Sequence, residues 1–475
     1  MSGAAGSWST GAARVAWGDR AASGREIYIS GSAYRSGGQN FYFPEFDDPM
    51  NPLSANQGRA ADVDDDSTDR FFGKAAFGHF TLTAAHSSRA KVIPTASYDT
   101  LFNDPWNRTI DQRSFLDLKY EGSLGAKTTV LGRVYGDRYY YRGDYDYPLP
   151  DGAWVEKAYG YTRGLEAQFT ARPNDQNTLL AGGEFRDHWK QDFFADDALA
   201  VYNDDHRSSK DWGLFVQDQF VPSRRLLLNV GVRYDRYQSF GDSTNPRLAL
   251  IYTPADRTTL KFLYGHAFRA PSMQELYYGS GANPDLGPET IRTSEVVFEQ
   301  YIGRGLRLTG TYFDNRVDDL ISLDTTTVLF ENVSTIDSNG SELGLEWRRD
   351  NGIAVRFDHT LQDTRIRETG EHLSNSPRHL AKFHLTLPIH GEKLSAGTEV
   401  QYTGGRMTLA GNQVGGYTLV NLTLLSRNLA RGLDLSGSVY NLLDKTYEDP
   451  GGSGNLQEAL AQDGRHVRIK LRWKF

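Results

Sequence analysis

A dense group of aspartates lies early in the chain and has the chemistry of a cation site. The run Ala61–Asp69, ADVDDDSTD, places several carboxylates within nine positions, and carboxylate oxygens are the ligands that calcium prefers. The run lacks the glycine and the glutamate that an EF-hand needs at its sixth and twelfth positions, because Ser67 and Gly73 stand there. A solvated loop is the alternative to a structural calcium site. The candidate calcium ligands are Asp62, Asp64 and Asp66.

Aromatic side chains form a second group that could contact a ligand. They begin with the knot FYFPEF at Phe41–Phe46 and recur in several polar stretches. Exposed rings can hold a ligand, but the aromatic girdles of membrane proteins use the same residue types. The candidate ligand contacts are Phe41, Tyr42, Phe43, Trp106, Tyr145, Tyr277 and Tyr278.

Motifs for catalysis are missing from the sequence. The chain has no cysteine, so thiolate metal sites, disulfides and cysteine nucleophiles are excluded. Its eleven histidines show no H-E-x-x-H spacing, and there is no G-x-S-x-G, P-loop or dinucleotide motif. The net charge of −8 argues against nucleic-acid binding. We therefore expect a protein that is not an enzyme, without a cofactor other than the possible calcium.

The elements that carry these groups are predicted to be β-strands. The segment His466 to Phe475 alternates basic and apolar residues without interruption, which is the period of a strand. One such strand could belong to a water-soluble barrel. Similar alternation recurs along the chain, and no window of about 18 apolar residues predicts a membrane helix. The pattern is typical of a transmembrane β-barrel, with apolar side chains toward lipid and polar ones toward a wet lumen.

Connections between these strands alternate between short and long, as in outer-membrane barrels. Ten short turns predict twenty flanking strands, and the last strand makes twenty-one. Because an antiparallel barrel needs an even number, we expect the first strand to be missing and Gly11–Gly18 to be the second. The strands beside the gap would then pair in parallel, or the chain would be unstable alone. The predicted long loops are 36–69, 87–112, 141–155, 188–210, 269–290, 316–340, 362–378, 403–416 and 447–464.

Three segments of the sequence resemble the TonB-dependent receptors of the Gram-negative outer membrane. The first is Tyr264–Glu295, the second is VYNLLDKTY at Val439–Tyr447, and the third is the terminal strand ending in phenylalanine. Gly287 stands where a lysine is common in the family. The matching motif residues, with a structural role, are Phe268, Arg269, Pro271, Glu275, Asn283, Pro284, Leu286, Pro288, Glu289, Asn441, Asp444, Tyr447 and Phe475.

Within this motif, two prolines stiffen a predicted loop that follows a strand. We expect the loop to fold back and bring Arg269, Glu275 and Glu289 close enough to form ion pairs near the outer rim. That structural role is favoured over direct ligand contact.

The resemblance implies an all-β, 22-strand transmembrane barrel filled by an N-terminal plug, with a preceding box that engages TonB. We expect residues 1–475 to be the barrel domain of such a receptor, without the signal peptide, TonB box and plug. The implied function is import of a scarce metal chelate, first a ferric siderophore and second cobalamin. A passive plugless pore and a non-functional fragment are the alternatives. Some cobalamin importers of the family bind calcium through aspartates of this early loop.

The implied partners are outer-membrane lipid, the metal chelate, the TonB complex through the absent N-terminal region, and the barrel assembly machinery through the C-terminal strand. No nucleic-acid partner is expected.

Overall fold

The architecture is one closed antiparallel β-barrel. In a computed structural model of the chain, which describes residues 1–279, 281–324 and 327–475, twenty-two strands form a single sheet. The predicted loops 269–290 and 316–340 contain Ser280, Thr325 and Thr326, which lie outside the described residues. The described residues contain no helix that is both long and apolar enough to cross a membrane.

The barrel strands, numbered in chain order, are β1 Ser2–Gly6, β2 Thr10–Arg20, β3 Glu26–Ser36, β4 Asp66–Phe77, β5 Phe80–Val92, β6 Arg108–Ser123, β7 Thr128–Asp146, β8 Ala153–Ala171, β9 Asn177–Asp196, β10 Val201–Ser223, β11 Leu226–Tyr237, β12 Gly241–Ala255, β13 Thr258–Arg269, β14 Glu289–Ile302, β15 Leu306–Leu323, β16 Phe330–Arg348, β17 Ala354–Ile366, β18 His379–His390, β19 Leu394–Thr403, β20 Tyr417–Ala430, β21 Leu433–Tyr440 and β22 His466–Trp473. A short helix, α1, spans Met273–Tyr277, and 3-10 turns span Pro44–Phe46, Asn56–Gly58 and Ser97–Asp99. Three pairs of two- or three-residue strands lie in the connections: Phe41–Tyr42 with Arg59–Ala60, Arg406–Met407 with Gln413–Val414, and Glu448–Pro450 with Ala459–Ala461.

The barrel closes through β1, so the expectation of a missing first strand is wrong. Ser2–Gly6 pairs antiparallel with β2 on one side and with β22 on the other. The count of twenty-one strands was therefore one short, and the expected parallel junction does not occur. The strand escaped sequence analysis because SGAAG has no large apolar residue that could show a period of two.

The two faces of the strands differ as the barrel interpretation predicts. On β11 the side chains of Val230 and Val232 are exposed on one face. Arg233 and Asp235 occupy the other face, and the two residues form an ion pair. Exposed aliphatic residues on one side and paired charges on the other identify the outer surface and the lumen.

The two ends of the barrel also differ. Ten connections of two to five residues lie at one end in the described structure, which confirms the ten short turns. At the other end, the predicted loops 141–155, 188–210 and 316–340 are mostly strand. The strands that enter them, β7 to β10, β15 and β16, have 18 to 23 residues, and β7 to β10 leave connections of only 147–152 and 197–200. These ends of the strands are rich in polar residues, and polarity alone does not distinguish them from loops.

Candidate ligand-binding mouth

Three connections at the long-loop end pack into a compact cap. Phe46 and Phe102 stack with their ring centroids 4.2 Å apart, and both are almost fully buried. Phe43 packs edge-on against Phe102 in the same cluster. The connection after β21 joins the cap, since the amide of Tyr98 donates to the carbonyl of Gly454 at 2.6 Å. The remaining buried members of the cluster are Ala60, Val63 and Ala96.

The cap changes the role of two predicted ligand contacts. Phe43 is only 3% exposed, so its ring is part of the cap core and has no surface for a ligand. Phe41 stacks on Phe43 at 5.9 Å and packs against the same cluster. Loop residues that are distant in sequence bury Phe43, and this burial argues against the predicted ligand contact.

Two of the predicted aromatic contacts remain open at the mouth. Tyr42 is 53% exposed and lies opposite Arg59 in a short strand pair. Trp106 is 41% exposed, and the guanidinium of Arg108 lies 5.7 Å from its ring centroid. Trp106 therefore has an arginine beside its ring, whereas Tyr42 stands opposite Arg59 and donates its hydroxyl to Asp47 at 2.9 Å.

Tyr145 belongs to a set of tyrosines on the lumenal face of β7. Its hydroxyl and that of Tyr141 are 2.6 Å apart, and Tyr145 is buried. Tyr139 donates to Asp111 on β6 at 2.8 Å. These three tyrosines line the lumen near the long-loop end of the barrel, and Tyr139 is the most exposed of them.

Tyr277 and Tyr278 follow one another at the end of α1 and have different surroundings. The guanidinium of Arg207 lies 3.8 Å from the Tyr277 ring centroid. Tyr278 is buried, stacks on Phe193 at 4.9 Å and donates its hydroxyl to the Gln191 carbonyl at 2.6 Å. Burial raises the pKa of Tyr278 to about 12, so the hydroxyl stays protonated and keeps its role as donor. The two tyrosines therefore attach the connection between β13 and β14 to the long strands β9 and β10.

The candidate calcium ligands do not converge. Asp64 forms an ion pair with Lys91 and accepts from the amide of Gln39 at 2.9 Å. Asp66 forms an ion pair with Arg89 at 2.7 Å. Within the described ranges, no group of three or more histidine, aspartate or glutamate side chains is arranged to hold a metal ion. The backbone amide of Asp62 donates to the side-chain oxygen of Asn40. This arrangement does not fit a calcium site.

The arginine of the family motif forms the ion pairs expected from the sequence. The Arg269 guanidinium donates to Glu289 at 2.7 Å and to Glu275 at 3.0 Å. Glu275 also closes a capping box with Ser272 at the start of α1. The expected pairing is confirmed, and it joins the end of β13, the helix and the start of β14.

The other motif residues in this segment of the chain pack against apolar side chains or form hydrogen bonds. Leu286 is buried together with Leu276 and Ile321, and Asn283 donates to the Phe330 carbonyl at 2.8 Å. Pro271 is buried, Pro284 is exposed, and Pro288 is half-buried. Phe268 on β13 packs edge-on against Tyr237 at 5.7 Å.

The C-terminal motif residues organise the connection before the last strand. The Asn441 side chain donates to the carbonyl of Lys445 and accepts from the amide of Lys445, both at 2.8 Å. Asp444 accepts from the amide of Arg465 at 2.9 Å, and Tyr447 packs on Tyr417 at 4.4 Å. Phe475 is 74% exposed.

Ion pairs line the lumenal wall from β6 to β11, and they were not predicted from the sequence. Arg133 on β7 binds Asp117 on β6 and Glu166 on β8. Glu184 on β9 accepts from Tyr135 at 2.8 Å and lies 3.5 Å from Arg233. The signal in the sequence was the charged face of each alternating strand, but the partner of each charge depends on the register between strands.

These features define the class of the protein, which is a large outer-membrane β-barrel whose opening at the long-loop end is lined by packed connections. The described barrel has twenty-two strands, a charged lumen and loops that pack together at one end.

Comparison with known proteins gives the family. Residues 19–442 match the family model "TonB dependent receptor-like, beta-barrel", and the chain belongs to this family. The protein is therefore located in the outer membrane of a Gram-negative bacterium.

Curated relatives are similar over part of the chain. It is 26% identical over 238 residues to the vitamin B12 transporter BtuB of Vibrio cholerae serotype O1, covering 48% of this chain and 38% of that protein. It is 24% identical over 298 residues to the heme/hemopexin utilization protein C of Haemophilus influenzae, covering 53% and 41%. The aligned part thus spans about two fifths of the length of these relatives.

Solved structures share the fold along the whole chain. The ferric enterobactin receptor PfeA of Pseudomonas aeruginosa superposes with a TM-score of 0.79 at 18% identity, covering 100% of this chain and 80% of that one. The ferric-catecholate import receptor Fiu of E. coli K12 superposes with a TM-score of 0.77 at 13% identity, covering 100% and 81%. None of these names describes an enzyme.

Proposed function

We propose that the protein imports a scarce metal chelate across the outer membrane, with a ferric siderophore as the first candidate. The observation that carries the proposal is a family barrel whose mouth presents exposed aromatic rings beside arginines. The two sites are Trp106 with Arg108 and Tyr42 with Arg59.

The chemistry of this mouth suits an anionic chelate with aromatic groups. A ring face can stack on an aryl group of the ligand. The neighbouring guanidinium attracts the negative charge and can stack on the same group. In the proposed cycle the loops capture the chelate and the lumen provides its route. Energy for import would come from the TonB complex, and a plug would control the route.

Binding measurements with the purified barrel in detergent test the proposal. A ferric tris-catecholate is titrated while tryptophan fluorescence or heat is recorded. We expect W106A and Y42A each to weaken binding about tenfold, because each removes a stacking surface worth about 1.5 kcal/mol. The matched control is W17A, since Trp17 is 51% exposed on the lipid-facing surface of β2. Equal binding by all three variants would contradict the proposed mouth.

Cobalamin is the second candidate ligand. The similarity to the vitamin B12 transporter BtuB favours it. Cyanocobalamin titrated under the same conditions separates the two, since tighter binding of cyanocobalamin than of the ferric tris-catecholate would reverse the order.

A passive pore and a non-functional fragment remain the alternatives. A large ungated current in planar bilayers would favour the pore. Failure to give a heat-modifiable band on semi-native gels would favour the fragment. That the chain is the barrel portion of a longer receptor, and that its C-terminal strand engages the barrel assembly machinery, stay predictions.

A further inference from the structure

The last strand carries a column of cations on its lumenal face. Its aliphatic residues are exposed toward lipid, and the basic residues between them point to the opposite side. These basic residues are Arg468, Lys470 and Arg472.

The strands on both sides of this column supply almost no negative charge. On β1, which has only small residues, Ser2 stands opposite Arg472 and Ala4 opposite Lys470. On β21 the opposing residues are Asp434 and Ser436. Asp434 is the one carboxylate that faces the column in these two ladders of described residues.

Two more cations extend the column toward the short-turn end of the barrel. Arg427 and Lys474 line a cavity of about 330 Å³ together with Lys470 and Arg472. Lys474 lies 3.2 Å from Asp434 and forms the single ion pair of the group within the described structure. We name the five cations the basic seam: Arg427, Arg468, Lys470, Arg472 and Lys474. The four cations and Asp434 that line this cavity carry a net charge of +3, whereas Arg468 lines another cavity together with Asp64, Asp66 and Asp463.

The wall across β13 to β17 shows that the basic seam is an exception. There Glu299 binds both Lys261 and Arg307 at 3.1 Å. Arg356 binds Asp358 at 2.7 Å. Each of these cations forms an ion pair with a carboxylate. Among the described residues of the basic seam only Lys474 does so, and Asp434 also stands opposite Arg472 in the ladder.

Unpaired cations at this spacing repel one another. Residues two apart on a strand are about 7 Å from each other. That distance is shorter than the Debye length of about 8 Å at physiological ionic strength. The column therefore lowers its energy by holding anions, and one ligand with two or more negative groups can neutralise neighbouring positions at once.

We propose that the basic seam binds a small multivalent anion, such as a polyphosphate or polycarboxylate, in the lumen at the short-turn end of the barrel. The ligand bridges Lys470 and Arg472, and Arg427 and Lys474 close the cavity around it. The site is separate from the aromatic mouth at the opposite end, so its test does not depend on chelate import.

Calorimetric titration of the full chain with pyrophosphate at low salt provides the first test. The double variant K470Q/R472Q should raise the Kd at least tenfold. The matched control R224Q/R225Q removes two exposed arginines from the turn between β10 and β11 at the same barrel end, and it should bind like the unaltered protein. Absence of pyrophosphate binding, or an equal Kd in both double variants, would overturn the proposal.

A second measurement needs no variant. Amine acetylation followed by mass spectrometry should show that pyrophosphate slows labelling of Lys470 and Lys474. The internal control is Lys127, which is exposed in the turn between β6 and β7 and should label at the same rate with and without pyrophosphate. If Lys470 is already protected without added anion, a protein segment covers the seam and the proposal is wrong.

Discussion

Arg269 and Glu289 stand directly opposite each other where β13 ends and β14 begins, and the Arg269 Nε lies 2.7 Å from a Glu289 oxygen. The second Glu289 oxygen also accepts from the amide of Ile321 at 2.8 Å. Because Arg269 binds Glu275 of α1 as well, one guanidinium connects three elements around a 19-residue connection. This arrangement explains why the motif has an arginine at this position, because a planar guanidinium can donate hydrogen bonds to two carboxylates at once.

Replacing Arg269 should loosen the connection between β13 and β14. In R269A, two nearly buried carboxylates lose their partner, and we expect amide hydrogen exchange in residues 270–279 and 281–288 to become at least tenfold faster. The control R292A removes an exposed arginine with a single 3.2 Å contact to Asp318 and should have little effect. Similar exchange in both variants would show that the Arg269 contacts do not stabilise the loop.

The same loop should respond to acid. Burial of Glu275 opposes its ionisation, but hydrogen bonds from Arg269 and Ser272 outweigh burial and lower its pKa. A lowered folded-state pKa means that this stabilisation is fully present above the ordinary glutamate value near 4.5 and is lost as the pH falls through the folded value. After correction for intrinsic exchange rates, exchange around α1 should accelerate on acidification. The variant E275Q should reduce that response, and an unchanged response would contradict this role of Glu275.

The cap at the mouth should depend on its buried phenylalanines. F46A removes a ring that is 1% exposed and stacks on Phe102, so it should destabilise the cap by about 3–5 kcal/mol. Limited proteolysis should then cut within 41–63 and 93–107 while the barrel stays heat-modifiable. Y42A is the control in the same segment, because the Tyr42 ring is half exposed. Equal protease resistance of the two variants would argue against a packed cap.

Calcium should have little effect on the early acidic loop. Asp64 and Asp66 already pair with Lys91 and Arg89, so calcium would have to displace two bound cations. We expect the same thermal unfolding temperature in calcium and in EDTA. A rise of several degrees in calcium that disappears in D64N would restore the calcium site.

Strand alternation made the barrel predictable, and motif residues made the family predictable. Ten short turns and the pairing of Arg269 with two glutamates follow from local sequence. The strand Ser2–Gly6 could not be predicted, because its small residues carry no periodic signal and its placement depends on two neighbours, one of them at the far end of the chain.

The site was predictable only in part. Exposed Tyr42 and buried Phe43 are adjacent and both aromatic, so composition could not separate them. The difference arises from Phe102, nearly sixty positions away, which packs against Phe43. The basic seam likewise depends on which residues β1 and β21 place beside β22, and that register is not visible in one strand.

The small first strand has a mechanical consequence. Among the described residues, each ladder of β1 contains five residue pairs, whereas the ladder between β7 and β8 contains nineteen. Under a stretching force the cylinder would tear where the fewest backbone bonds share the load, and that place is β1. In single-molecule pulling, the first rupture should therefore release this strand while the long neighbouring hairpins resist.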